Sequence, residues 1–297
     1  MNDLAVIIIS YNTKDLLRKC LKSVLAKKWN HTLEVWVVDN ASKDGSAEMI
    51  KKEFPSVKLI KSKTNRGFAG GNNLALSKAE AFNYLLLNSD TEVTEGSLDI
   101  ILDRMKENEF DIISCRLENS DGSFQPNAGD LPFGMAIFNW LFGVDDFPFF
   151  NKSFGSFHRK DPEYYKNERK VGWISGSVFL ITSKTLKSVG LLDAKIFMYC
   201  EDVDYCVRAY KAGFTVGWTN RTNIMHIGGG SSNNPQFRQW IGEFRGLIYL
   251  YKKYYGKFAI VILKGLIYIA IFFRILAFSV IGKFSYAKIY VKIFKEI

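Results

Sequence analysis

The chain has 297 residues, 47% hydrophobic and 24% charged, which suits one large domain or two coupled halves and argues against a polytopic membrane protein. Its net charge of +10 is uneven: from Leu247 to Ile297 nine basic residues face one acid, so this tail carries +8 and the rest only about +2. A near-neutral body with a basic, apolar tail excludes a nucleic-acid binder and points to an anionic membrane surface. The four cysteines, Cys20, Cys115, Cys200 and Cys206, form no CxxC pair. Zinc and a disulfide framework are therefore unsupported, and a reducing cytosol is expected. Met1–Asp3 is not basic and Leu4–Ile9 is too short for a signal h-region, so no secretory signal is expected.

In chain order, Leu4–Ser10 is a continuous apolar run and reads as a buried parallel strand. Lys14–Lys27 carries Leu16, Leu17, Cys20, Leu21, Val24 and Leu25 at helical spacing, with Thr13 or Asp15 as its cap. A second buried strand follows at Leu33–Asp39, a helix at Ser46–Phe54 and a short strand at Val57–Lys61. Gly70–Ala81 reads as a helix and Tyr84–Asn88 as a strand ending in a polar turn. This alternation predicts an α/β sheet of nucleotide-binding topology over the first ~110 residues. Further on, Val171–Thr182 reads as a strand and Val203–Ala212 as a helix. Ahead of these two, Phe133, Phe138, Trp140, Phe142, Phe147, Phe149, Phe150, Phe154 and Phe157 crowd a Gly- and Pro-interrupted stretch, either a lid or membrane-dipping loop or plain core packing.

Polar residues gather where three of the strands end: Ser10-Tyr11-Asn12, Asp39-Asn40-Ala41-Ser42 and Asn88-Ser89-Asp90. Each alone is as readily a turn, but ligands of open α/β sheets sit at the carboxyl ends of strands, so three together predict one crevice. Asn65–Asn73 (NRGFAGGNN) sets three glycines and Arg66 where backbone N–H groups and a fixed charge suit a diphosphate; the spacing is neither GxGxxG nor a Walker loop. A carboxylate at Asp90 suits a hard divalent ion. Glu201, Asp202 and Asp204 open a helix, where one acid serves as general base or all simply favour the helix N-terminus. His226 precedes the Gly228–Ser232 run and is either a structural histidine or a ligand beside a mobile loop.

Together VIIISYN, VVDNASKDGS, NRGFAGGNN, LLLNSDT, WISGSVFLI, FMYCEDVDYCVRAYKAGF and HIGGGSS, in this order and spacing, resemble the family-2 inverting glycosyltransferases over about Leu4 to Ser232. The nearest branch is the bacterial rhamnosyltransferase-like one. The resemblance implies an α/β, GT-A-type Rossmann-like mixed sheet flanked by helices, with a C-terminal apolar and amphipathic helical extension. Residues 1–110 would be the nucleotide-sugar-binding half, 111–232 the acceptor-binding and catalytic half of the same domain, and 233–297 a helical membrane-association region. It further implies that Asp39 hydrogen-bonds the pyrimidine base, with Ser10 and Asn12 lining its pocket. Asn65, Arg66 and Asn73 would flank the ribose and diphosphate. Asn88-Ser89-Asp90 occupies the DxD position, with Asn88 replacing the first acid and Asp90 holding Mg2+ or Mn2+ together with His226. Asp202 would be the catalytic base, and Trp173, Ser175, Gly176 and Glu201 would lie on the acceptor side. The partners so implied are a nucleotide sugar, foremost dTDP-L-rhamnose, and a saccharide acceptor, expected to be lipid-linked, met at the cytoplasmic face of the membrane in cell-surface polysaccharide assembly.

Phe258–Gly282 is apolar apart from Lys264 and Arg274, long enough to span a bilayer. Central Lys or Arg costs ~2.5–3.5 kcal/mol each on insertion. The following segment is amphipathic, with Lys288, Lys292 and Lys295 on one face, so a monotopic or hairpin anchor is preferred to a full span. Two other functions fit the residues less well. A processive synthase would carry QxxRW, but Gln239 stands in place of its Arg in Gln236–Trp240. A non-catalytic nucleotide-sugar sensor would have lost Asp90 or Asp202, and both are present.

Overall fold

A computed structural model describes residues 1–107, 110–144, 155–228 and 235–297. The first elements are β1 (Asn2–Ser10), α1 (Lys14–Leu25), β2 (Leu33–Asp39), α2 (Ser46–Glu53), β3 (Lys58–Lys61), α3 (Gly67–Leu76), β4 (Ala81–Asn88), β5 (Thr91–Val93) and α4 (Ser97–Lys106). They are followed by β6 (Ile112–Glu118), β7 (Phe124–Gln125), β8 (Ala128–Gly129), α5 (Met135–Phe142), β9 (Arg169–Lys170), β10 (Trp173–Ile174), β11 (Val178–Thr182) and α6 (Ser183–Val189). Then come α7 (Glu201–Lys211), β12 (Val216–His226), α8 (Pro235–Tyr254), α9 (Lys257–Val280) and α10 (Phe284–Glu296). The chain divides into two compact units, one of Met1–Leu131, His158–Phe197 and Glu201–Ser231, the other of Pro132–Phe157, Met198–Cys200 and Ser232–Ile297. Segments 1–110 and most of 111–232 thus share one unit, while the aromatic stretch belongs with the C-terminal helices.

The first unit is built on a mixed sheet, ten-stranded among the described residues, of order β3-β2-β1-β4-β11-β6-β12-β5, with β7 on β6 and β9 on β12. β1 pairs parallel with β2 on one side and β4 on the other, so the strand order reverses at β1. Its centre needs no alternation, because both faces are covered: Val6, Ile7 and Ile8 are fully buried, and Leu17, Cys20, Leu21 and Val24 of α1 pack in the same core as Val6 and Ile8. Burying each such Leu or Ile side chain contributes ~1.5–3 kcal/mol. The register is functionally decisive. Ser10 pairs with Asp39, and Ile9 with Asn88, so three polar strand ends lie side by side at the switch point.

Three local expectations are corrected. α3 begins at Gly67 and ends at Leu76, before β4 takes up Ala81 as the partner of Asn2. The helix thus starts three residues earlier and ends five residues sooner than the expected Gly70–Ala81, with Gly70 and Gly71 inside it. A Cβ on Gly71 would lie 1.9 Å from Ile9 Cδ1, so this glycine serves close helix–strand packing. Thr13 sits at the N-cap of α1 without a side-chain cap bond; its hydroxyl instead bonds Ser10 and Ser89, while Asp44 accepts from the Lys14 N–H. The stretch Val171–Thr182 breaks at Ser175–Ser177, with β10 pairing β8 in a separate ribbon and β11 entering the main sheet.

The second unit has its own centre. Trp140 of α5 packs edge-on to Phe157 (5.3 Å) and against Phe244 of α8 (5.5 Å). Trp240 of α8 stacks on Tyr290 of α10 at 4.7 Å, so the QFRQW segment serves helix packing here. Gly242 and Gly246 let α8 approach Tyr199 and Cys200: added Cβ atoms would lie 2.3 Å from the Tyr199 ring and 2.7 Å from Cys200 Sγ. α9 is long and apolar enough to cross a membrane by length and composition. One face, with Leu263, Ile267, Ala270 and Ile271, is buried; the other exposes Phe258, Val261, Ile269, Phe272, Leu276 and Val280. Arg274 turns inward, donating to Tyr290 Oη (3.0 Å) and the Trp140 carbonyl (2.7 Å). Phe147, Phe149, Phe150 and Phe154 lie outside the described residues, as do Gly229, Gly230, Ser231 and Ser232.

Candidate active site

The donor-side residues are held by one another. Asp39, buried at the end of β2, accepts the Ser42 N–H at 3.2 Å. Asn12 adopts φ 55°, accepts the Lys43 N–H and gives its own N–H to Ser42 Oγ, which joins the loops after β1 and β2. Ser10, Thr13 and Ser89 form a hydroxyl chain with 2.9 Å links, tying the end of β1 to the turn after β4. Asn40, absent from the sequence-predicted set, organises the next segment. Its Nδ2 donates to Asn65 Oδ1 and the Gly67 carbonyl, and its Oδ1 accepts the Arg66 N–H. The only hint in the sequence is its place directly after Asp39 at a strand end.

NRGFAGGNN departs most from expectation. Gly67 (φ +70°) donates to Asn65 Oδ1 and Phe68 donates to the Phe197 carbonyl, so these amides are committed within the protein. Both ends of the Asn73 amide bond the Leu192 backbone, which makes Asn73 a clamp on the segment before α7 rather than a donor contact. Arg66 alone of this group extends an exposed charged side chain.

A second cluster joins Asn88, Asp90 and His226. The imidazole Nε2 lies 3.3 Å from Asp90 Oδ1 and 3.3 Å from Asn88 Nδ2, although 138 residues separate Asn88 from His226. Its Nδ1 is 2.7 Å from Gln125 Oε1. One carboxylate and one imidazole suit Mg2+ or Mn2+ when substrate phosphates complete the shell. Among the described residues there is no group of three or more His, Cys, Asp or Glu side chains placed to hold an ion without such help.

The third cluster lies at the start of α7. Asp202, partly exposed, accepts the Gly176 N–H at Oδ2 (2.9 Å) and the Val203 N–H at Oδ1 (2.8 Å). Space at Gly176 is tight, because a Cβ there would lie 2.9 Å from Phe68 Cζ. Burial raises the Asp202 carboxyl above the ordinary carboxylate range, opposed by these amide donors. Beside it Glu201 is almost fully buried with Oε2 lacking a hydrogen-bond partner. Its carboxyl is raised well above the usual range, first by burial and then by the charge of Asp202. Trp173, expected on the acceptor side, is buried with its ring edge-on to His158 at 5.1 Å.

The last two clusters are joined. The Asn88 N–H donates to the Ser177 carbonyl (3.0 Å), Ser177 Oγ meets Ser175 Oγ (2.9 Å), and the intervening Gly176 N–H meets Asp202. A path of sheet pairing and hydrogen bonds thus runs from Asp39 through Ser10, Ser89, Asn88 and Ser175–Ser177 to Asp202.

Comparison with known proteins identifies the family and the fold. Residues 5–180, more than half of the chain, match the family described as Glycosyl transferase family 2. Among curated proteins, the N-acetylglucosaminyl-diphospho-decaprenol L-rhamnosyltransferase of Mycobacterium tuberculosis is 26% identical over 235 residues, 75% of either chain. The low-salt glycan biosynthesis hexosyltransferase Agl10 of Haloferax volcanii is 24% identical, over 76% of this chain and 67% of its own. Among solved structures, mannosyltransferase PcManGT of Pyrobaculum calidifontis, in complex with GDP-Man and Mn2+, superposes with a TM-score of 0.58 at 16% identity, covering 85% of this chain and 64% of that one. GalNAc-T7 with UDP, GalNAc and Mn2+ gives a TM-score of 0.61 at 15% identity, covering 85% and 48%. The fold is that of the GT-A glycosyltransferases.

Proposed function

Because the chain belongs to glycosyl transferase family 2, we propose that it transfers a deoxyhexose, foremost L-rhamnose from dTDP-L-rhamnose, to a hydroxyl of a lipid-linked saccharide with inversion at the anomeric carbon. The observation that carries this reading is the hydrogen-bonded link between the Asp90–His226 pair and Asp202 through Asn88 and Ser175–Ser177. It supports reading the two clusters as one site, with a cation at one corner and a proton acceptor at the other.

In this reading Asp39 and Ser10 bind the base of the nucleotide, with Asn12 shaping the loop beside them, and Arg66 faces the diphosphate. Asp90 and His226 would hold Mg2+ or Mn2+, which would neutralise charge on the departing diphosphate. Asp202 takes the proton of the acceptor hydroxyl as the new glycosidic bond forms. Its raised pKa suits that role, since a base works best when its affinity for the proton is near the working pH. The Gly176 N–H fixes Oδ2 and leaves the carboxylate oriented. A single displacement with a single base inverts the anomeric centre. Burial and the charge of Asp202 raise the Glu201 carboxyl, which disfavours a second negative charge beside the base.

The resemblance to the decaprenol-linked rhamnosyltransferase supports a lipid-linked acceptor. The outward apolar face of α9, with the lysines of α10, supports association with the cytoplasmic leaflet. Since Arg274 is tied inward, a helix lying in the leaflet is favoured over a span. The test is a panel of nucleotide sugars scored for protection against thermal unfolding with and without Mn2+, followed by transfer to N-acetylglucosaminyl-diphospho-polyprenol. A donor at 100 times its Kd should add ~2.7 kcal/mol of stability. Protection by no nucleotide sugar in the panel would overturn the proposal.

A further inference from the structure

The β6–β7 hairpin carries a chain of side-chain hydrogen bonds with only one consistent direction. Asp121 Oδ1 accepts from Ser123 Oγ (2.6 Å) and Ser123 Oγ receives Asn119 Nδ2 (2.8 Å). Asn119 Oδ1 then receives Gln125 Nε2 (3.0 Å), and Gln125 Oε1 faces His226 Nδ1 (2.7 Å). The direction follows from the chemistry of the end group. An ionised carboxylate only accepts, so the Ser123 hydroxyl donates to it and is left with lone pairs for the Asn119 amide nitrogen. That places the Asn119 oxygen toward Gln125, which must present nitrogen to it and oxygen to the imidazole. An amide oxygen only accepts, so the proton lies on Nδ1 and the lone pair of the neutral ring lies on Nε2, the atom that faces Asp90 and Asn88. The hydrogen bonds from Ser123 also hold the Asp121 carboxyl below the ordinary range, in keeping with an acceptor-only terminus.

We propose that Gln125, oriented by Asn119, Ser123 and Asp121, is a positioning residue that fixes the tautomer of His226 and so presents Nε2 to the divalent ion shared with Asp90. The inference rests on the ion site proposed above. Local bracing keeps the hairpin in shape, since Gly122 (φ 80°) turns the chain and the backbones of Asn119 and Ser123 bond at 2.8 Å. Partners of this outer kind, holding the second nitrogen of a metal-bound imidazole, commonly change metal affinity 10–100-fold when removed.

Two measurements test it, one without metal or activity. The chain has three histidines, so 15N-labelled imidazoles in the ion-free protein, at a pH where they are neutral, can be assigned by NMR through His226→Ala. His226 is expected to show the Nδ1–H form in the wild type and in Gln125→Glu, which keeps an acceptor, and a tautomer mixture in Gln125→Leu. Binding of Mn2+ in the presence of dTDP is expected to weaken ~10–100-fold in Gln125→Leu and only a few-fold in Gln125→Glu. If Asp90→Asn weakens Mn2+ binding while Gln125→Leu changes neither affinity nor tautomer, the role of Gln125 is refuted and the ion site stands. If Asp90→Asn binds Mn2+ as the wild type does, the ion site fails and the inference with it.

Discussion

Two aspartates of the site, Asp90 and Asp202, share a fold and differ in their neighbours. Asp90 stands 3.3 Å from an imidazole nitrogen. Asp202 stands beside the buried acid Glu201 and accepts the backbone N–H groups of Gly176 and Val203. The first corner becomes more favourable as positive charge is added, the second as a proton is added. The proposed mechanism uses that difference, giving Asp90 to the ion and Asp202 to proton transfer.

Separate substitutions probe each side of that contrast. Asp202→Asn keeps size and can keep one backbone bond but cannot take a proton; kcat is expected to fall ~10²–10⁴-fold while nucleotide-sugar protection against melting persists. Near-normal turnover in that variant would remove Asp202 from the role. Asp90→Asn should act at the other corner, weakening Mn2+ activation ~10–100-fold by the same scale as loss of an orienting partner, read from the ion dependence of transfer. Gly176→Ala tests orientation alone. Its methyl meets Phe68 and pushes the amide off Asp202, so kcat should drop on the order of 10–100-fold with KM for the donor little changed.

The smallest effect is on stability. Glu201 has its carboxyl raised in the folded protein, so folding binds a proton there that the unfolded chain releases at lower pH. Stability from this group is full in acid and is lost as pH rises from the ordinary carboxylate range through the raised value. Glu201→Gln removes that loss. Its melting temperature, measured against pH, should draw level with or exceed the wild type toward neutral pH and show no such gain in acid. Each kcal/mol recovered corresponds to roughly 2–4 °C. A pH-independent difference would mean that the buried carboxyl is not the titrating group.

Much of the sheet is legible in the residues. β2 begins and ends where its apolar run does, and β1 and β4 carry unbroken apolar centres that only a doubly covered strand can bury. At α3 only the bounds shift, because the helix expected over Gly70–Ala81 runs from Gly67 to Leu76, with Gly71 packed on Ile9 from far along the chain. Asn73 spends both ends of its amide on Leu192, a partner 119 positions away that motif order does not reveal. Gln125 is invisible for a related reason. Asp121-Gly122 announces a turn, but nothing local says that a residue after it meets His226, 101 positions away.

The thiols of this protein have a practical consequence. Cys20, Cys115, Cys200 and Cys206 are all buried and unoxidised; burial pushes Cys20 up to about 12 and Cys115 and Cys206 higher still. Thiolate is the reactive species, so maleimides and spin labels should pass the native chain by. One cysteine introduced on the outer surface of α9, such as Ile269→Cys or Leu276→Cys, would then carry the only probe, and its quenching by doxyl lipids would read out how deep that helix sits.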